Sequence, residues 1–200
     1  MEQEIIDKVV AFHGHLCPGL AIGIRVAEMA FNELKITARD GVLVAVVEND
    51  TCGVDAVQYL TGCTFGKGNF VFLDYGKNAY RFYRRDDGKA IRITVKKDAG
   101  KSHQVEYQRL VDKKQNGRLT KADGLQMETY RQERLQRILS APLTDLLTLQ
   151  YIDGEIPEKD RIHESLECAG CGELTMETRM RRINGAWYCL PCYHERERLL

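Results

Sequence analysis

"HGHLCPGLAIGIRVAEMAFNEL", residues 13–34, organises the reading of the whole chain. Leu20, Ile24, Ala27, Phe31 and Leu34 recur at steps of four, three, four and three, which is one face of an α-helix. Pro18 suits the first helical position, because its missing N–H would have no partner there anyway. The spacing therefore predicts a helix over 18–34, with Cys17 at or near its N-cap. Upstream, Ile5, Ile6, Val9 and Val10 predict a shorter helix over 4–12, and "HGHLCPG" separates the two. Downstream, "GVLVAVVEND" (41–50) is continuous in apolar residues and reads as a buried strand.

From that strand the chain runs into "TCGVDAVQYLTGC" (51–63), a loop and then a short helix. Strand character returns in "NFVFLDY" (69–75) and in "AYRFYRRDDGKAIRITVKK" (79–97). Asp87-Gly88 between two alternating runs signals a hairpin there. Residues 103–140 switch to helical spacing, divided by "QNG" at 115–117, and Thr120 with Asp123 forms a candidate cap for the second helix. "APLTDLLTLQYIDGEIPEKD" (141–160) reads as a connector with a short helical piece. The expected organisation is a domain over 1–150, a linker over 151–164 and a small unit over 165–200. The fold class expected is α+β, a mixed or antiparallel sheet with flanking helices, plus a C-terminal zinc ribbon.

Composition is that of a globular protein, 44% hydrophobic and 29% charged, with zero formal net charge. That balance gives no general argument for nucleic-acid or membrane binding. "MEQEIIDKVV" has no signal-peptide layout, and "VLVAVV" (42–47) is too short to span a bilayer. A cytoplasmic protein is expected. Its seven cysteines then need a reason other than disulfides, because the cytosol keeps thiols reduced.

Four of them are accounted for by "CAGCGELTMETRMRRINGAWYCLPCY". Cys168-x2-Cys171 and Cys189-x2-Cys192, seventeen residues apart, fit a tetrahedral structural zinc. Asn184-Gly185 supplies a tight hairpin turn between the pairs. Residues 168–200 hold five Arg against four Glu, which is no basic footprint for nucleic acid.

Cys17, Cys52 and Cys63 remain, with His13 and His15 nearby in sequence. Cys17 and Cys52 each precede a predicted helix, where free N–H groups and positive potential lower a thiol pKa. Two thiolates with one imidazole would leave an open coordination position, the pattern of a substrate-binding soft-metal site. The competing reading is of buried cysteines and loop histidines with only structural roles.

"FHGHLCPGLAIGIR", "VENDTCGVDAVQYLTGCTFGKGN" and the trailing four-cysteine ribbon together resemble the E-subunit family of formylmethanofuran dehydrogenase. The resemblance covers residues 1 to about 140 and 165–195. In methanogens that name attaches to a component associated with a molybdenum or tungsten enzyme that fixes CO2 onto methanofuran, and similar chains occur alone. The resemblance places the family's His-x-His-x-Cys-Pro motif on His13, His15, Cys17 and Pro18, and its second cysteine on Cys52. It implies a metal or active-site cluster there, which we expect to hold a second divalent soft metal, with zinc as the favoured identity. The favoured set is His15, Cys17 and Cys52, which would also be the catalytic residues, with His13 as the alternative ligand or supporting partner. No ferredoxin run is present, so redox chemistry by this chain alone is not expected.

"GCTFGKGNF" (62–70) lacks phosphate-loop spacing and reads as a loop lining the cleft, with Cys63 and Lys67 as candidate ligand contacts. Residues 76–101 carry nine Lys/Arg against three Asp, while residues 1–75 are net acidic. That basic hairpin reads first as a solvated face or a dimer contact, and second as an anion or nucleic-acid groove. The functional expectation is a metal-binding protein with an open Cys/His site for a small ligand, acting as a metal-dependent enzyme or in an accessory redox or one-carbon role. A homodimer and a larger oxidoreductase complex are the expected assemblies. The second class is a non-enzymatic adaptor whose ribbon, laid out like the finger of the DksA/TraR regulators, docks on a larger complex.

Overall fold

The computed structural model describes residues 2–36, 41–158 and 163–198. The chain divides into two compact units, Met1–Lys159 and Asp160–Leu200. No helix among the described residues is long and apolar enough to cross a membrane.

In the first unit, α1 (Gln3–His13) stops at Gly14, whose φ of +96° is open to glycine and whose N–H bonds back to Val10. α2 (Pro18–Leu34) begins where the proline places it: Cys17 is the extended N-cap, and its Sγ accepts from the Leu20 N–H at 3.3 Å. The apolar stripe read from the sequence is buried at Leu20, Ile24, Ala27 and Leu34 and half-buried at Phe31, but the helix is covered on other sides as well. Leu20, Ile24 and Ala27 pack with Ile6 and Val9 of α1 and with Ala56 and Leu60. Ala21, Ile22, Val26, Met29, Ala30 and Leu34 face the sheet. α2 is thus a central helix between two layers.

The sheet has the order β2-β1-β3-β4-β5. Its strands are β1 (Leu43–Val47), β2 (Phe70–Phe72), β3 (Ala79–Arg84), β4 (Ala90–Val95) and β5 (Leu147–Tyr151). β2 runs parallel to β1, reached through α3 (Gly53–Thr61); the other pairs are antiparallel. This is the mixed sheet of an α+β fold, as the sequence implies. α4 (Gln104–Gln115) and α5 (Lys121–Ser140) follow, and α5 opens on a full capping box between Thr120 and Asp123. α5 lies on α2 through Leu135 and Ile138, and Arg25 of α2 donates to the carbonyls of Leu139 and Ala141.

One element differs from the sequence reading. The connector at 141–160 does hold a short helix, α6 (Leu143–Leu146), but β5 follows it at once and pairs with β4 from Val95↔Leu147 to Ile91↔Tyr151. It is an edge strand, buried at Leu147 and 71% exposed at Tyr151. Its apolar alternation is short, and the partner strand rather than local propensity makes it a strand.

Part of the basic hairpin is compensated inside the unit. Glu48, just beyond β1, is fully buried and accepts from Arg81 Nε at 2.8 Å and from Arg92 Nε and Nη2 at 2.8 and 2.9 Å. Arg84 reaches the Leu34 carbonyl and Asp86, and Arg85 the Pro157 carbonyl. The Arg92 hydrogen bonds hold the Glu48 carboxyl down at about 2, against an ordinary 4.5. A depressed carboxylate stabilises the fold above its unfolded pKa and loses that contribution as pH falls toward 2. We predict that Glu48→Gln lowers stability by about 2 kcal/mol at neutral pH, since both guanidiniums keep some solvent contact. It should also flatten the acid limb of a urea-denaturation pH series below pH 4.5; an unchanged acid limb would refute the assignment.

The second unit contains two hairpins and a helix. β6 (Ser165–Glu167) pairs with β7 (Leu174–Met176), and β8 (Met180–Ile183) with β9 (Ala186–Cys189); α7 (Leu190–Glu197) closes it. Asn184 and Gly185, at φ +48° and +88°, form the two-residue turn between β8 and β9.

Candidate metal centre

The four ribbon sulfurs lie within 4.8 Å of one another. A tetrahedral zinc with ~2.3 Å bonds needs S···S edges of ~3.8 Å, and Cys171 and Cys189 stand 3.9 Å apart. Backbone N–H groups aim at the cluster: Gly170 and Cys189 donate to Cys168 Sγ at 3.4 and 3.2 Å. Donation from the Cys171 and Cys189 backbones draws the Cys168 thiol down to about 6, while the Cys189 thiol and burial push Cys192 up to about 12. A divalent cation would relieve that crowding of sulfurs, so the donor set fits zinc. With four protein ligands the site is closed, which makes it structural.

A second cluster forms in the N-terminal unit. One ring nitrogen of His13 and the Sγ atoms of Cys17 and Cys52 lie within 4.8 Å of one another. Three helix ends meet here. His13 is the last residue of α1, Cys17 caps α2 and Cys52 immediately precedes α3. Two close approaches at glycine permit the convergence. Gly19 lies against both cysteines: a Cβ there would stand 3.2 Å from Cys52 Cβ and 3.8 and 3.9 Å from the two sulfurs. Gly23 and Gly53 bring α2 and α3 together backbone to backbone, with Gly53 O only 2.2 Å from where a Gly23 Cβ would be.

His13 is held by Asp55 in the first turn of α3. Its Nδ1 lies 2.7 Å from Asp55 Oδ2, so Nδ1–H donates to the carboxylate. Nε2 is buried and has no hydrogen-bond partner. A carboxylate on one ring nitrogen of a histidine that lies beside two thiols is the arrangement that orients a metal-ligating histidine. The residues present therefore fit a soft divalent cation.

The other residues singled out in the sequence fall elsewhere. His15 is exposed, its ring centroid 4.8 Å from that of His13, at the edge of the cluster. Gly14 turns the chain after α1, so the helical His13 faces inward while His15 rides on the loop. Cys63 is fully buried and donates to the Leu43 carbonyl. It follows the C-terminal end of α3, a helix length of about 13 Å from Cys52. Lys67 donates to Gly62 O at 2.9 Å and caps that same end of α3. Cys52 departs from the lowering expected of a thiol at a helix start: burial, and then the Cys17 thiol beside it, push it up. Sequence reasoning missed Asp55, although an acid three residues after Cys52 in a helix's first turn is a usable signal.

Comparison with known proteins agrees with this architecture. The chain is 29% identical over 201 aligned positions to a "Probable S-adenosyl-L-methionine-binding protein" of Archaeoglobus fulgidus, covering 93% of this chain and 54% of the relative. The chain thus spans about half the length of that curated protein. A crystal structure of a tungsten formylmethanofuran dehydrogenase FmdE-like protein from Syntrophus aciditrophicus superposes with a TM-score of 0.64 at 26% identity, over 96% of this chain and 92% of that one. Residues 163–198 match the prokaryotic DksA/TraR C4-type zinc finger. Residues 12–148, well over half of the chain and all three helix ends of the cluster, match the family described as "FmdE, Molybdenum formylmethanofuran dehydrogenase operon", and the chain belongs to that family.

Proposed function

We propose that the first unit is a metal-binding module with His13, Cys17 and Cys52 as ligands and one open position for a small ligand, serving an accessory redox or one-carbon role. The observation that carries this reading is the buried, unpartnered His13 Nε2 beside two thiols, with Asp55 fixing the opposite ring nitrogen. A soft divalent cation there would supply a polarising Lewis-acid position. Asp55 orients the imidazole, the two cysteines set the charge of the site, and His15 stands at its rim. The ribbon has a structural role. A cytoplasmic location, a homodimer and association with a larger oxidoreductase belong to the same proposal. S-adenosylmethionine is the first small molecule to titrate, because the Archaeoglobus relative's name carries it.

The adaptor reading has its own observation in the ribbon, where Leu174, Met176 and Trp187 are 75%, 57% and 43% exposed. The two readings separate at Asp55. Asp55→Asn should weaken metal binding at the N-terminal cluster about 10–100-fold in a chelator competition, leaving the ribbon's metal in place. His13→Ala should abolish the N-terminal site and His15→Ala should retain it. If Asp55→Asn and His13→Ala both leave metal affinity unchanged, the adaptor reading stands instead.

A further inference from the structure

Beside the metal cluster lies a cleft whose charge the cluster does not explain. A cavity of about 270 Å³ is lined by Gly19 and Thr51, next to the two cysteines, and by four cations: Lys96, Lys97, Lys101 and Arg134. No carboxylate lines it. Lys96 is engaged by the Thr144 carbonyl at 2.6 Å. Among the described residues no carboxylate pairs with Lys97, Lys101 or Arg134, and the Arg134 Nε is buried without a hydrogen-bond partner. Pro18, the first residue of α2, also lines the cavity, so the positive end of that helix lies beside it. Gly100 fixes the arrangement. At φ +63° it presses against α5, with Ile138 Cγ1 2.3 Å and Arg134 O 3.5 Å from its Cβ position, which seats the following Lys101 near Arg134. Lys101, Arg134 and Pro18 also line a second, larger cavity of about 580 Å³, carrying Val105, Tyr107 and Tyr130.

The geometry points to an oxyanion subsite at Lys101 and Arg134, which seats the carboxylate or phosphate group of a small ligand beside the His13–Cys17–Cys52 cluster. It deepens the proposed function and rests on it for what the bound ligand is brought to. The cations hold the anionic group, because an unpaired guanidinium is a fork-shaped donor matched to carboxylate and phosphate. The adjoining cavity offers Tyr107, Tyr130 and Val105 to the apolar body of the same molecule.

The test titrates the full-length, zinc-loaded protein with inorganic phosphate and, separately, acetate by calorimetry; the two arms distinguish a phosphate ligand from a carboxylate one. We expect at least one anion to bind, and binding to weaken about tenfold or more in Arg134→Gln and in Lys101→Gln. Lys114→Gln, on α4 and outside both cavities, should bind as wild type. Lys101 is exposed, so its variant tests the subsite even if Arg134→Gln disturbs the fold. A Cys17→Ser/Cys52→Ser double variant separates the two readings. Anion binding retained there, whatever its metal content, supports the subsite on its own residues. Binding that vanishes in the double variant but survives Arg134→Gln and Lys101→Gln places the anion on the metal and overturns the subsite. No binding of either anion by wild type overturns it as well.

Discussion

Cys171→Ser, or stripping the ribbon's metal with a chelator, should unfold residues 163–198 and leave the N-terminal unit folded. The ribbon's hairpins are only three and four residue pairs long, and its buried apolar set is small: Cys168, Met180, Tyr188 and Cys189. So little apolar burial cannot offset the conformational entropy of ordering the unit. Structural zinc in such peptides supplies about 10–16 kcal/mol of apparent binding free energy, and here that is folding free energy. Limited trypsin digestion should therefore clip the arginines at 179, 181 and 182 in the variant while a fragment near residues 1–159 persists. A digestion pattern identical to wild type would show that the ribbon folds without its metal.

Gly23→Ala should cost the first unit about 3 kcal/mol, at the upper end of overpacking penalties, and should disperse the N-terminal cluster. Alanine is the better helix former by about 1 kcal/mol, so propensity alone predicts stabilisation. Packing decides otherwise: the new Cβ would lie 2.2 Å from Gly53 O and 2.5 Å from Gly53 Cα, and both are backbone. Backbone cannot move aside as a side chain does, so α3 must shift away from α2, carrying Cys52 from Cys17. Gly124→Ala on α5 is the control. Nothing lies within 4 Å of its Cβ position, so it should gain stability by roughly the propensity difference. Thermal melts of both variants check this, and a Gly23→Ala protein as stable as wild type would refute the close helix contact.

These two variants also show what is legible in the sequence. Local chemistry is readable: Cys17 and Pro18 mark the start of α2, Thr120 and Asp123 cap α5, and Asn184-Gly185 turns the ribbon hairpin. The four-cysteine spacing defines the ribbon because those ligands are close in sequence. What depends on partners distant in the chain is not readable. β5 is a strand because β4 is beside it. His13 faces Cys17 and Cys52 through the Gly14 turn and an Asp55 forty-two residues away, so spacing alone could not rank it against His15. Nor could the sequence show that two of the basic hairpin's arginines share one buried carboxylate.

The proposed function requires two metal centres in one chain, a closed structural one in the ribbon and an open one in the N-terminal unit. Metal content per chain decides between one centre and two. It should be measured by elemental analysis in wild type, Cys17→Ser and Cys52→Ser, after removal of loosely bound ions. We expect two metal ions per wild-type chain, one for each cluster, falling to one in each variant with the fold intact. A single ion in wild type, unchanged in both variants, would leave the ribbon as the metal centre and refute the N-terminal one.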